Sequence, residues 1–212
     1  MSKDDSDNIH VESVIFLQIR VQIIYNRCMS KRDMILDEAF KLFFEKGYYG
    51  LGLQELLKRC DIPKGSFYYY FPDGKNQLLY EVIERTYTYM ESYIVNHLLI
   101  EDNAADSFVK MVDHHIATIE GRKYTASLML TRLSIESLHL NSEAHQICKN
   151  VYERWQNVYY EKLMQYGYSE QVARSKAQVL FAVIHGSLIS SFVKQSNEDL
   201  ILIREEVRNI LS

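Results

Sequence analysis

The sequence predicts an all-α protein, with a short three-helix unit in its N-terminal third followed by a larger helical bundle. Three observations support this fold class. The 212 residues include only 8 glycines and 2 prolines, whereas strand-rich architectures use both residues freely in their turns. Apolar residues recur three and four positions apart over long segments, which is the spacing of a helix with one buried face. Hydrophobic residues make up 47% of the chain and charged residues 25%, as in soluble globular proteins.

Residues 1–28 are expected to form an N-terminal extension of uncertain role. The first eight residues, MSKDDSDN, are polar and acidic and have nothing to bury. Residues 14–24 are apolar, but they are about half as long as a membrane-spanning helix and include Arg20, so we expect no membrane span and no targeting segment. Their spacing fits a strand and an amphipathic helix equally well. Residues 29–32 (MSKR) resemble a natural chain start.

The first two helices of the three-helix unit are defined by their apolar stripes. A first helix is predicted over residues 31–46, with Gly47 as its stop, because glycine readily adopts the left-handed conformation that ends helices. A second, short helix is predicted from Leu53 to about Cys60. Asp61 tolerates a left-handed backbone, so a tight turn is expected to lead directly into the third helix.

The third helix carries the most unusual residues of the chain. Pro63 is expected to open it at the first helical position, and residues 71–74 (FPDG) are expected to end it. Its sequence, KGSFYYYF, has no purely apolar face, and only Phe67 and Phe71 are expected to point inward. Tyrosine and serine hydroxyls can bond phosphate oxygens, a lysine adds charge, and a glycine permits close approach of a duplex. The alternative interpretation is that the tyrosines simply pack beneath a loop.

The remainder of the chain is predicted to be a bundle of six helices. They are expected over residues 76–99, 106–119, 124–140, 142–166, 169–194 and 197–211. The predicted N-caps are Ser142, Ser169 and Asn197, each followed by acidic residues that favour a helix N-terminus.

The stretch from residue 35 to 79, ILDEAFKLFFEKGYYGLGLQELLKRCDIPKGSFYYYFPDGKNQLL, closely resembles the DNA-binding domain of TetR/AcrR transcription regulators. The residues FPDGK that end the match resemble the LmrA/YxaF-like subgroup in particular. The resemblance implies that residues 29–75 are a helix-turn-helix DNA-binding domain. It also implies that seven residues contact operator double-stranded DNA: Lys64, Gly65, Ser66, Tyr68, Tyr69, Tyr70 and Lys75. Two departures concern the phosphate contacts and the operator sequence: Leu51 and Gly52 replace the usual Thr-Ser, and Tyr70 replaces the usual histidine.

The resemblance further implies that residues 76–212 bind a small molecule and form a homodimer. Residues 179–193 (VLFAVIHGSLISSFV) are apolar nearly all round, which suits a helix in a subunit interface, although an intramolecular core helix fits the pattern as well. A pocket for a small apolar or aromatic effector is expected among scattered aromatic and histidine side chains. The candidates are Tyr89, Tyr93, His97, His114, His115, Tyr124, Trp155, Tyr159, Phe181 and His185.

The charge limits how the protein can contact nucleic acid, and the cysteine content indicates its compartment. The net charge of −4 argues against general coating of nucleic acid, and residues 29–75 hold 8 basic against 7 acidic residues, so DNA contact must be local. The odd number of widely spaced cysteines, Cys28, Cys60 and Cys148, fits the reducing cytoplasm.

No catalytic motif, cofactor motif or metal-ligand spacing is present in the sequence, since His114 and His115 are adjacent and lack further ligands. An enzyme and a helical interaction scaffold are the rival classes, and neither predicts operator binding.

Overall fold

The computed structural model describes residues 30–121 and 126–212, apart from the side chain of Leu98. The predictions for residues 1–28 and for Tyr124 lie outside these residues. Within the described ranges the chain is helical, with a π-helical turn at Ile94–Leu98 directly after α4. Helices α1 to α9 occupy Lys31–Gly50, Leu53–Arg59, Lys64–Tyr70, Lys75–Tyr93, Ala104–Glu120, Ala126–Ser137, Ser142–Gln165, Glu170–Lys194 and Glu198–Leu211.

Helix α1 begins at a capping box and is interrupted at Gly47. The Ser30 hydroxyl accepts from the backbone N–H of Asp33, whose carboxylate accepts from the Ser30 N–H in return. Gly47 breaks the helix with φ 71° and ψ −175°, as the sequence predicted, and one further turn then runs to Gly50. Asp61, with φ 48°, makes the predicted left-handed turn between α2 and α3. Helices α1 to α3 therefore form the expected compact unit.

Several helix starts differ from the predictions by one or two residues because a better cap stands nearby. Pro63 is the N-cap of α3 and not its first helical residue, since its ψ of 154° is extended. Ser142 does not cap α7, because the Asn141 amide oxygen already accepts from the Ala144 N–H at 2.7 Å. Asn103 caps α5 in the same way, which starts that helix at Ala104. Ser169 and Asn197 hold the predicted N-cap positions but make no side-chain cap.

The ends of two bundle helices also differ from the predictions. The α-helical hydrogen bonding of α4 stops at Tyr93 and widens into the π-helical turn, where the sequence predicted one helix to residue 99. Helix α6 stops at Ser137, and residues 138–140 form turns.

The bundle packs around α8 and α4. Helix α8 lies against α7 and α9, and α9 also packs on α5. Helix α4 lies between α1 and α7, while α6 packs on both α1 and α7, so both of these bundle helices pack against the N-terminal unit. The largest fully buried side chains include Trp155, Tyr87, Tyr159 and Phe108. The N-terminal unit therefore contacts the bundle through both α4 and α6.

Candidate nucleic-acid interface and effector site

Helix α3 has one buried edge and one exposed face. Phe67 and Phe71 are fully buried as predicted, with their rings stacked 5.4 Å apart between centroids. Tyr68 is 42% exposed and Tyr69 is 80% exposed, while Tyr70 is half-buried with its ring 5.1 Å from that of Tyr69. Packing beneath a loop does not describe Tyr68 and Tyr69, because a tyrosine that serves only as packing is covered.

The N-terminal end of α3 is open to solvent. Lys64 is exposed, and its ammonium lies 5.8 Å from the centre of the Tyr68 ring. A Cβ added at Gly65 would meet nothing within 4 Å, and the backbone there does not require glycine. Ser66 is half-buried and follows directly. Since the fold itself has no need of glycine at position 65, the empty space in front of it suits a molecule that approaches from outside.

Lys75, the first residue of α4, is placed differently from Lys64. Its ammonium lies 4.3 Å from the centre of the Tyr48 ring, and partial burial lowers the pKa of the amine. The Tyr48 hydroxyl donates to the Asn76 amide oxygen at 2.6 Å, which fixes the ring beneath the lysine. The Lys75 ammonium would thus already be oriented before it makes the predicted contact with a phosphate.

Half of the eight cations of the N-terminal unit are neutralised by carboxylates within the described residues. Arg59 lies 3.0 Å from both Glu45 and Glu55, and Lys46 also pairs with Glu55. Within the described residues, the lysines of residues 30–75 that have no carboxylate within 4.0 Å are Lys31, Lys58, Lys64 and Lys75. Lys31 and Lys58 were not predicted, and their unpaired charge makes them additional candidates for phosphate contact.

A contact between α6 and the end of α1 escaped sequence reasoning. Glu136 accepts from the Tyr48 N–H at 2.5 Å, and Arg132 donates to the carbonyls of Phe44 and Glu45 at 3.0 and 3.2 Å. Arg132 and Glu136 pair with each other at 3.1 Å. The two side chains thus satisfy carbonyls and an N–H that the break at Gly47 leaves without helical partners. We call Arg132 and Glu136 the α6 clamp.

Gly47 makes room for the α6 clamp. A Cβ at this position would lie 2.0 Å from Glu136 Oε1 and 2.8 Å from Arg132 Nε. The only signal in the sequence is an arginine and a glutamate four apart on an otherwise uncharged helix, which does not reveal partners 87 and 88 residues away.

The inner members of the predicted effector pocket form one buried cluster. Trp155, Tyr159, Phe181 and His185 are at most 6% exposed. The His185 ring lies 4.0 Å from that of Phe181 and 4.2 Å from that of Trp155, between centroids. Burial lowers the pKa of His185 to about 4. Trp155 Nε1 and His185 Nε2 are buried without a hydrogen-bond partner in the described structure.

The outer members form a chain of rings that leads to this cluster. Tyr93 lies 6.3 Å from Tyr89 and 5.1 Å from both His97 and His114, between ring centroids. Tyr89 is 68% exposed and marks the outer end. The His115 ring lies 6.0 Å from that of His114 between centroids, and burial, His114 and His185 lower the pKa of His115 to about 3. The described pocket candidates therefore form an outer group of rings from Tyr89 to His115 and an inner buried group around Trp155 and His185.

A separate surface depression of about 500 Å³ lies along α8, lined by Glu170, Gln171, Arg174, Ser175 and Gln178. None of the predicted pocket residues lines it.

Helix α8 has two apolar faces. Leu180, Ile184 and Leu188 are buried within the subunit. The opposite face is exposed at positions separated alternately by three and four residues: Val172, Ser175, Val179, Ala182, Gly186, Ile189 and Val193. By length and composition alone α8 could cross a membrane, but 39% of that segment is buried inside the chain. The exposed stripe has the 3.5-residue period of a helix-packing seam, and we call it the α8 seam.

The end of α8 also reaches the N-terminal unit. Phe192 of α8 meets Phe44 of α1 edge to face, with 6.1 Å between ring centroids. The Tyr49 hydroxyl donates to the His139 carbonyl at 2.9 Å, just beyond α6. Helices α6 and α8 therefore touch the same end of α1.

A tri-helical unit that displays a recognition helix, joined to a separate helical body, defines the class of helix-turn-helix transcription regulators. Residues 35–82 match the family model described as bacterial regulatory proteins, tetR family. Residues 104–206 match the model described as transcriptional regulator LmrA/YxaF-like, C-terminal domain. The chain belongs to the TetR family of DNA-binding transcriptional regulators, in its LmrA/YxaF-like subgroup. This family is a class of regulators and not of enzymes.

Individual relatives agree with this assignment. The HTH-type transcriptional regulators LmrA and YxaF of Bacillus subtilis are each 29% identical to the chain, over 180 and 184 residues. These matches cover 85% and 83% of the chain and 96% and 92% of the relatives. The crystal structure of reduced Escherichia coli NemR superposes with a TM-score of 0.77 at 24% identity, over 86% of the chain and 97% of NemR. The all-α fold prediction is confirmed.

Proposed function

We propose that the chain is a cytoplasmic, homodimeric repressor that leaves its operator when a small molecule binds. In this proposal residues 29–75 read DNA, and residues 76–212 dimerise and hold the effector. The observation that carries it is the two-sided character of α3, whose phenylalanines are fully buried while Tyr68 and Tyr69 are displayed to solvent. A recognition helix that enters the major groove needs one face packed on its own domain and a polar face that can contact DNA.

The proposed DNA contacts divide by chemistry. Lys64 and Lys75 neutralise phosphates, while Ser66 and the hydroxyls of the tyrosines bond phosphate oxygens or base edges. Gly65 lets the backbone approach the duplex. The seven proposed contact residues are Lys64, Gly65, Ser66, Tyr68, Tyr69, Tyr70 and Lys75.

The α8 seam supports the homodimer. Val179, Ile189 and Val193 are 44%, 38% and 74% exposed, which is costly for a stripe of large apolar residues unless a second subunit covers it. Glycine, alanine and serine at the intervening positions permit close approach of the two helices. A two-fold dimer would then present two α3 helices to successive major grooves, about 34–36 Å apart.

We propose that the DNA-bound protein represses transcription and that effector binding relieves this repression. The IcaR protein of Staphylococcus aureus, named a negative transcriptional regulator, is 31% identical over 91 residues, which is 43% of this chain and 48% of IcaR. An effector releases DNA only through its different affinity for the two states of the dimer, typically about 1–3 kcal/mol of coupling. Helix α4, which starts at Lys75, and the α6 clamp are the two connections that could transmit this difference.

The test is operator affinity, measured by fluorescence anisotropy with the DNA upstream of the chain's own gene. Tyr69→Phe removes one exposed hydroxyl and is expected to weaken binding about 2- to 10-fold, the value of a hydrogen bond of about 0.5–1.5 kcal/mol. Tyr89→Phe removes the hydroxyl of another exposed tyrosine, 68% against 80%, outside α3 and should leave the affinity unchanged. Full affinity in both Tyr69→Phe and Lys64→Ala would overturn the assignment of α3, and the absence of any DNA binding would favour the interaction scaffold.

A further inference from the structure

We propose that the cluster around Trp155 and His185 is a binding site for a neutral hydroxyl group on an otherwise apolar, ring-sized ligand. This inference rests on the effector-binding function proposed above and names the chemistry of the effector. Its basis is a matched pair of buried polar atoms, one a donor and one an acceptor, on neighbouring rings.

The acceptor is His185 Nε2. The other ring nitrogen, Nδ1, lies 2.8 Å from the Phe181 carbonyl oxygen. A carbonyl only accepts, so Nδ1 carries the proton and donates it. Because burial keeps the imidazole neutral at neutral pH, Nε2 has a free lone pair and no proton. This atom is buried without a partner in the described structure.

The donor is Trp155 Nε1, which has an N–H and cannot accept. Trp155 is 1% exposed, and its Nε1 is also buried without a hydrogen-bond partner. The Trp155 and His185 rings are 4.2 Å apart between centroids and nearly perpendicular. A hydroxyl group has the matching chemistry, because it can accept from an indole N–H and donate to a neutral imidazole nitrogen. Buried polar groups lose free energy when they have no partner, so a ligand that supplies both bonds is favoured over one that supplies neither.

The surroundings select against a charged ligand. The other rings of the cluster are those of Phe181, Tyr152 and Tyr159, and both tyrosine hydroxyls already have partners, Thr131 and the Met111 sulfur. His115, the nearest further imidazole, is held neutral by burial. The Arg154 guanidinium lies over the Tyr87 ring and bonds Glu84. From the described residues a carboxylate in this cluster would gain no free cation to compensate it, which is strongly unfavourable.

The site has a built-in reporter, because Trp155 is the only tryptophan of the chain. We would titrate the DNA-free protein with phenol, toluene and benzoate, three probes of similar size, and follow tryptophan emission excited at 295 nm. Phenol should change the emission saturably and bind at least about tenfold more tightly than toluene, since toluene leaves both polar atoms unpaired. Benzoate should not bind measurably.

Variants separate the hydroxyl site from general apolar binding. His185→Leu, checked for folding by circular dichroism, should show a smaller preference for phenol over toluene, because only the Trp155 N–H is left to bond the hydroxyl. Trp155→Phe, measured by thermal shift, should reduce the phenol preference too, because only His185 Nε2 is left to bond the hydroxyl. Equal affinity for phenol and toluene in the unaltered protein, or no saturable change with phenol, would overturn the proposal and leave an ordered water as the partner of the two atoms. Operator binding is measured separately, so failure here leaves the DNA-binding assignment intact and failure there leaves this site intact.

Discussion

Gly47 offers the sharpest test of how the bundle holds the DNA-reading unit. With φ 71° and ψ −175°, this position lies in a region of backbone conformation that is essentially reserved for glycine. Its missing side chain also leaves the space in which Glu136 reaches the Tyr48 N–H. Gly47→Ala should therefore be strongly destabilising for two separate reasons.

The size of each effect can be worked out from the geometry. A non-glycine residue in such a conformation costs about 1–3 kcal/mol. The new Cβ would lie 2.0 Å from Glu136 Oε1, so the carboxylate must leave its partner. Losing a hydrogen bond to a charged group costs about 1.5–3 kcal/mol, which makes the expected total about 2.5–6 kcal/mol. In a Glu136→Ala background the bond is already absent, and only the backbone cost of about 1–3 kcal/mol should remain.

The assay is urea unfolding of the four proteins of this double-mutant cycle at one protomer concentration, because the stability of the proposed dimer would depend on concentration. We expect a coupling of at least about 1.5 kcal/mol between the two sites. Additive effects, within about 0.5 kcal/mol, would refute the α6 clamp as a stabilising contact. Gly65→Ala is the matched control: nothing lies within 4 Å of its added Cβ, so it should cost no stability.

Three further predictions concern charge, pH and assembly. Lys64→Ala should reduce the slope of log affinity for operator against log salt by about 0.9, whereas Lys149→Ala, an exposed lysine of α7, should not. Since the pKa of His185 is about 4 when folded and about 6.5 when unfolded, the unfolded chain takes up the proton first as pH falls. The wild-type unfolding free energy should thus drop by about 2 kcal/mol more between pH 7 and 5 than that of His185→Leu. Val179→Arg should give monomers in analytical ultracentrifugation, while Val95→Arg, equally exposed outside the α8 seam, should stay dimeric.

Each of these three predictions would be contradicted by a specific result. An unchanged salt slope would remove Lys64 from the phosphate contacts. Identical pH dependence in the two proteins would mean that His185 is charged or solvated in the fold. A dimeric Val179→Arg would place the subunit interface elsewhere.

Local features of the fold were predictable from sequence because their causes are local. The inward direction of Phe67 and Phe71 follows from their spacing of four on a helix, and the left-handed turn at Asp61 follows from the short polar side chain. The effector pocket stays a prediction, although four of its candidate side chains, those of Trp155, Tyr159, Phe181 and His185, lie in one buried cluster. Helix starts were less certain, as at Asn141, where two adjacent residues are both good caps and the earlier one takes the role.

The α6 clamp could not be predicted, because its partners are backbone groups and not side chains. Arg132 bonds carbonyls that any residue at positions 44 and 45 would provide, so no pattern in the sequence marks them. The same reasoning applies to the π-helical turn at Ile94–Leu98, whose wider hydrogen bonding has no known residue signature. Both features depend on how distant helices pack.

Helix α8 connects the three proposed activities, because one rigid element carries parts of all of them. Its outer face is the α8 seam, its inner face places His185 beside Trp155, and its end sets Phe192 against Phe44 of α1. His185 and Phe192 are seven residues apart, which is about two helical turns or 10 Å. A ligand that pushes on the inner face while the seam fixes the outer one would tilt the helix, and Phe192 would carry that tilt to α1. Phe192→Ala should consequently weaken the link between phenol binding and operator release without changing phenol affinity, and an unaltered release curve would assign transmission to α4 and the α6 clamp alone.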